Sequence, residues 1–381
     1  MRGEICRDGG EFGRLGPEWT ELYGRCAAAT PFQSHAWLHS WWLSYGRPGA
    51  LRVVLVRRAG DGVLVGAAAL MRAAAGPLPV PVLTQLGGAI TDFTDVLLDD
   101  DCPEAARALA EAMARAARGA VVDLREVRPG AAAERVWAAW RGPRRRLADS
   151  SCLELPAVPM EALLERIPSG KAQRVRAKLR KLDALGVDQR IVPGPEVPDA
   201  LRRLLSLHQL QWRGRGVTAE HTSERFARHL ARAVRPMVES GDAMVTEFRL
   251  GGEVVCADLT LMSRRLAGGY LYGADPELRA RKVDVAAMLL RHAARETSAS
   301  GRATLSMLRG TEPYKHHWRP ETVRNQRLLL AGRATAPLLW ARAGAARARS
   351  WAAGQVRERE WLGRAWERVT RRRGTADGGG G

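Results

Sequence analysis

The stretch from Gly241 to Trp318 fixes an order of elements that few folds share. Met244–Leu250 (MVTEFRL) and Glu253–Met262 (EVVCADLTLM) are strand-like runs joined at Gly251-Gly252, the signature of a hairpin. A third apolar run, Leu266–Tyr272, follows the polar break at 263–265. A polar loop over 274–282 leads into a helix with apolar periodicity, Val283–Ser298, and then into a strand, Ala303–Leu308. Strand, crossover helix and strand make a βαβ step, so this half is a mixed sheet: a meander first and a parallel strand after it.

The first half carries the same order. Leu51–Arg57 and Val63–Met71 flank Gly62 as a second hairpin, and Pro81–Leu86 supplies a third strand. A helix with Pro103 near its start runs to Arg118, where proline is tolerated in the first turn, and the strand Ala120–Arg125 follows. Upstream, Trp19–Ala28 and a segment beginning at Pro31 read as helices. Before the second hairpin, 197–214 and 221–238 do the same. The two halves share element order and negligible sequence identity.

The second half closes on Gly310, Glu312, Tyr314, Lys315 and Trp318, spaced G-x-E-x-Y-K-x-x-W. This motif resembles the signature of the CelD-type acetyltransferases of the GNAT superfamily, relatives of the Fem-type aminoacyltransferases. Phe32, Gln33, Trp37, Trp41 and Trp42 resemble a second element of that family. The resemblance implies an α/β (α+β) fold of two tandem GNAT-like units with mixed sheets flanked by helices. The expected layout is a unit at 1–150, a basic helical connector at 151–186, a second unit at 187–331 and a helical tail at 332–381. It also implies an N-acyltransferase that moves an acetyl or acyl group from acyl-CoA to an amine on a small or polysaccharide-linked acceptor. A Fem-like ligase taking its aminoacyl group from tRNA is the alternative, and a non-catalytic scaffold in a biosynthetic complex is a third reading.

Direct acyl transfer needs a base for the amine, donors for the oxyanion and an acid for the leaving group. No Ser-His-Asp or Cys-His pattern stands out, which points to attack without a covalent enzyme intermediate. Glu312 is a candidate base, Tyr314 a proton donor and Lys315 an anchor for an anionic group, with Gly310 and Trp318 shaping the substrate site. Asp258 is a carboxylate in an apolar strand and a second candidate base, since a buried acid is costly unless it has a task. Asp92 and Asp95 stand at a glycine-rich strand edge, placed to face a cleft between the halves. Before the crossover helix a usual GNAT unit has R/Q-x-x-G-x-G/A. Here those glycines are absent, and Arg279, Arg281 and Lys282 are the candidates to hold donor phosphates.

The formal charge is +19, carried largely by arginine, and such a field attracts phosphates of nucleotides, tRNA or anionic membrane. It concentrates in 171–181 (KAQRVRAKLRK) and in the tail, where 11 Arg face 4 acidic residues from Gly332 onward, interspersed with Trp340, Trp351, Trp361 and Trp366. That tail is expected to pack on the body or meet a partner in preference to a membrane surface, with the terminal glycines disordered. His35 and His39 have a metal-compatible spacing but lack a third ligand nearby, so no metal is expected. Five scattered cysteines without a C-x-x-C pair, no apolar leader and no membrane-length run describe a soluble cytoplasmic protein.

Overall fold

A computed structural model describes residues 1–75, 80–212, 219–310, 312–349 and 351–352. The first unit contains β1 (Arg2–Cys6), α1 (Gly9–Arg14), α2 (Gly16–Arg25), α3 (His35–Tyr45), β2 (Leu51–Arg57), β3 (Leu64–Ala75), β4 (Val80–Gln85), β5 (Leu97–Leu98), α4 (Ala105–Ala116), β6 (Val121–Val127), α5 (Ala132–Ala139) and β7 (Arg144–Pro156). Two helices follow, α6 (Met160–Glu165) and α7 (Ser169–Ala184). The second unit contains β8 (Asp188–Ile191), α8 (Val197–Trp212), α9 (Glu224–Glu239), β9 (Ala243–Leu250), β10 (Glu253–Met262), β11 (Leu266–Ala274), α10 (Pro276–Ala280), α11 (Val285–Ala299), β12 (Thr304–Arg309) and β13 (Glu321–Leu330).

Local chemistry sets these boundaries. Gly251 and Gly252 take φ of 62° and 89°, the double positive φ that a tight hairpin between β9 and β10 demands. Ser223 caps α9 by accepting from the Phe226 amide, and Asp284 caps α11 by accepting from Ala287. Gly273 lets α8 lie directly on β11, because a Cβ there would sit 2.3 Å from the His208 nitrogen.

The thirteen strands of the described residues belong to one mixed sheet in which β5 pairs β3 off the main path, β1-β2-β3-β4-β6-β13-β7-β12-β11-β10-β9-β8. The parallel pairs are β4 with β6 and β11 with β12, each bridged by a crossover helix. The units therefore have the expected like order, but they do not form separate sheets. Each donates its last strand to the other: β13 lies between β6 and β7, and β7 lies between β13 and β12. Residues 151–156, expected in the connector, are strand, and the sheet is continuous across the boundary.

The main core runs through both units and buries Trp19, Trp37, Phe12 and Phe32 completely or nearly so. Trp37 donates to Thr91 Oγ1 at 3.0 Å, and Trp19 donates to the Gln33 carbonyl at 2.9 Å. α3 also packs on α9, where Ser40 donates to the His229 carbonyl, so the aromatic element ties the two units together. His35 and His39 stack on each other and pack edge-on against Phe12. Among the described residues no group of His, Cys, Asp and Glu could hold a metal, and no helix is long and apolar enough to cross a membrane. The helix over 336–349 returns to the sheet through Leu339 and Ala343, which pack with Val121 and Leu329. Trp361, Trp366 and the terminal glycines lie outside the described residues.

Candidate active site

The parallel ladder between β11 and β12 is short. It pairs Leu266 with Thr304, Ala267 with Leu305 and Gly268 with Ser306, and there it ends. Beyond it β11 bulges against β10: Leu259 faces Leu271 but Thr260 faces Gly269, which leaves Tyr270 as the extra residue. β12 is irregular over the same stretch, with a register shift against β7 between Ser306 and Arg309 and positive φ at Leu308 (56°) and Gly310 (107°). The strands part, and a cavity of about 770 Å³ opens in the wedge. Residues 269–272 line one side and 305–310 the other, with Leu289 and Leu290 of α11 and His208 of α8 closing it.

The first unit has a corresponding wedge, since β4 and β6 also pair over three residues only. It is filled. Thr94 donates its amide to the Glu126 carbonyl at 3.0 Å, and Phe93 packs edge-on against Phe32. The space left beside it is about 10 Å³, far less than the wedge of the second unit holds.

Lys315, Glu312, Tyr314, Gly310, Asp258 and Asp92 all line the large cavity, although they come from three separate parts of the chain. Asp258 is buried on β10, and Thr260 Oγ1 donates to its Oδ2 at 2.7 Å. It makes no ion pair among the described residues, and burial pushes its carboxyl up to about 6, against the pull of the Thr260 hydrogen bond. Lys315 is 7% exposed, and its ammonium donates to the Arg309 carbonyl at 3.0 Å and pairs with Glu312 at 2.8 Å. Tyr314 is half exposed, and the partial burial of its phenol, with Glu312 beside it, pushes it up to about 12, so it stays protonated at neutral pH.

Asp92 is held from across the units. Arg309 Nε donates to its Oδ1 at 2.6 Å, while another guanidinium nitrogen donates to the Ala89 carbonyl at 2.7 Å. Burial alone would lower the Arg309 guanidinium, but Asp92 and Glu126 outweigh it and raise it above its ordinary value. Glu126, itself at φ 54°, is fixed by Ser150 and by Asn325, which donates at 3.1 Å. This network joins β6, β7, β12 and β13 under the cavity floor.

Other expected residues lie elsewhere. Asp95 is buried beside the filled wedge of the first unit and accepts from the amides of Val96, Ala132 and Ala133, which caps the start of α5. Trp318 packs under the second unit with Met160, Leu163 and Leu305 and does not line the cavity. Arg279, Arg281 and Lys282 are exposed at the turn into α11, and Arg281 pairs with Glu277 at 2.6 Å. None of the three reaches the cavity wall. The start of α11 is also taken by a charge of the wrong sign for a pyrophosphate: Asp284 occupies the Ala287 amide and pairs with Lys178 at 2.8 Å.

Sequence reasoning missed Arg309, Tyr270, Tyr272, His208 and His221, all of which line the cavity. Arg309 had a signal, as the residue directly before the motif glycine. Tyr270 and Tyr272 also had one, because an alternating aromatic pair after Gly268-Gly269 marks one face of a strand where backbones approach. His208, whose Nδ1 donates to the Tyr272 carbonyl at 2.7 Å, and His221, stacked on Phe226, had none. Burial lowers both imidazoles, so they are neutral at pH 7.

Residues 169–316 match the family model described as an acetyltransferase (GNAT) domain. No curated protein matches the chain. Among solved structures, FemX is similar over 89% of this chain and 99% of its own, at 12% identity and a TM-score of 0.61. The C-terminal domain of a lysylphosphatidylglycerol synthetase from Agrobacterium fabrum is similar over 88% of this chain and 96% of its own, at 14% identity and 0.53. A conserved protein from Bacteroides thetaiotaomicron covers 87% of this chain and 100% of its own, at 12% identity and 0.56. The matched domain accounts for residues 169–316, and the whole-length likeness to these structures is one of fold.

Proposed function

We propose that the chain is an amide-forming acyltransferase whose acceptor amine is deprotonated by Asp258 in the wedge between β11 and β12. One observation carries this reading: a buried carboxyl without a cationic partner among the described residues lines the open cavity, tuned by burial to about 6. A base of that strength is ionised at neutral pH yet still takes a proton from an attacking amine. The amine nitrogen bonds to the acyl carbon and its proton passes to Asp258; the bond from that carbon to the leaving oxygen or sulfur breaks, the leaving group takes a proton from Tyr314, and exchange with solvent returns both side chains to their starting states. Lys315 has three N–H donors, and two are used by the Arg309 carbonyl and Glu312. The third is available to the oxyanion that develops on the acyl oxygen. Tyr314 supplies a hydrogen bond to the leaving group, and the Arg309–Asp92 pair keeps the floor rigid.

For the donor, an aminoacyl ester of tRNA fits better than acyl-CoA, because Asp284 caps α11 and Arg279, Arg281 and Lys282 stand outside the cavity. Acyl-CoA, with a CelD-type acetyl transfer to a small or glycan-linked amine, is the second reading, favoured by the domain match over 169–316. The test gives the full chain either radiolabelled aminoacyl-tRNA or radiolabelled acyl-CoA with a panel of amines, and counts label in amide product. Transfer from neither donor, or transfer that survives Asp258→Asn intact, overturns the proposal.

A further inference from the structure

α7 has a buried stripe and, beside it, a charged one. Ala172, Leu179 and Leu182 are buried, packing α7 with α6 and α11. Lys171, Arg174, Lys178 and Lys181 fall at i, i+3, i+7 and i+10 and so share the neighbouring face of the helix. This row points at one corner of the molecule. Lys178 pairs with Asp284 at 2.8 Å, and Lys181 donates to the Arg281 carbonyl at 2.9 Å, so the row ends against the exposed Arg281 and Lys282. The next turn of chain is the start of α11, where Ala286 is both exposed and part of the cavity wall. A cationic path therefore leads to the cavity mouth. Lys171, Arg174 and Lys282 make no ion pair among the described residues, so within those residues their charge is not spent.

We infer that the row from Lys171 to Lys181, continued by Arg281 and Lys282, binds the phosphate backbone of an RNA strand whose end enters the cavity. This rests on the tRNA reading above and extends it by assigning a surface. The four α7 cations span about 15 Å, long enough to follow several phosphates of one strand. A single pyrophosphate would use the corner alone and leave Lys171 and Arg174 without a task. The occupant is a polyanion, and charge complementarity selects it.

The experiment measures binding of uncharged bulk tRNA to the full chain across a salt series. Each phosphate contact contributes about 0.7–0.9 to the slope of log affinity against log salt, so Lys171→Gln with Arg174→Gln should lower that slope by roughly 1.4–1.8. At about 100 mM salt the affinity should fall roughly tenfold or more, while the melting temperature is unchanged. Arg47→Gln with Arg118→Gln, which removes the same charge from the first unit, should move the slope by less than about 0.5. Equal losses in both pairs, no loss in either, or no binding by the parent overturns the inference. So does binding of this surface to phosphatidylglycerol vesicles without binding to tRNA. The two proposals fail separately. Intact tRNA binding without label transfer leaves the surface standing and removes the enzyme reading; undiminished transfer from aminoacyl-tRNA in the Lys171/Arg174 variant removes the surface alone.

Discussion

Asp258 is expensive where it is. Moving its pKa from 3.8 to about 6 means that the folded state disfavours the carboxylate by roughly 3 kcal/mol at neutral pH. Thr260 offsets part of the burial, and among the described residues no cation does the rest. The folded protein holds this proton more tightly than the unfolded chain, so Asp258 costs nothing below about pH 4, and stability is lost as pH rises from there through about 6. Asp258→Asn should therefore raise the melting temperature at pH 7.5 and leave it unchanged near pH 3.5. The same variant should cut kcat/KM by about 10²–10⁴, the usual range for a positioned base. In the parent, log kcat/KM should climb with unit slope up to about pH 6 and then level. A more active or a less stable Asn variant at pH 7.5 would place Asp258 in a structural role.

At the scale of elements, the end of β12 sets the geometry of the site. Leu308 at φ 56° and Gly310 at φ 107° turn Arg309 toward Asp92 and deliver Lys315 to the cavity wall, and Ser306 Oγ steadies the turn by accepting from the Leu308 amide at 3.1 Å. Gly310→Ala would place a Cβ 2.5 Å from Glu312 Oε1. That carboxylate is half exposed and can move, so the steric part is cheap, whereas the positive φ costs on the order of 1–3 kcal/mol. We expect Gly310→Ala to lose that much stability in urea unfolding. It should also lose activity beyond the stability change, because Glu312 leaves Lys315. The meanders, the crossover helices and this glycine were legible because periods of 2 and 3.6 and a glycine before a motif are local signals. The exchanged strands were not. β7 (RRRLADSSCLELP) and β13 (ETVRNQRLLL) carry charges that hide their alternation, and two of those charges are satisfied by distant partners: Glu154 by Arg128 at 2.6 Å and Arg327 by Asp123 at 2.7 Å. The cavity residues were legible in part for the same reason. Lys315 and Glu312 sit in one motif, but the wedge that gathers Asp258 with Asp92 exists only once the sheet is assembled.

The whole molecule is held by that assembly. Asp123 on β6 receives both Arg327 from β13 and Arg342 from the returning tail helix, and all three are buried or nearly so. Burial would raise the Asp123 carboxyl, but the two guanidinium groups override it and hold it below the ordinary range. Removing one partner of such a cluster strands the others, so Asp123→Ala should cost about 3–5 kcal/mol, far more than an exposed ion pair returns. Asp123→Ala with Arg327→Leu together leaves one stranded guanidinium, that of Arg342, in place of two, and should recover part of that loss. The exchange of β7 and β13 has a larger consequence. A fragment ending near residue 186 keeps β7 but lacks β13 and β12, so β7 would lose the partners on both of its edges and β6 the partner on one. The second half, without β7, leaves β12 and β13 equally unpaired. Each fragment alone should therefore be aggregation-prone and without a cooperative melt, while coexpression should return a soluble complex. In the intact chain, calorimetry should give one transition whose calorimetric and van't Hoff enthalpies agree. Two resolved transitions, or a first half that melts cooperatively by itself, would show that the shared strands do not couple the units.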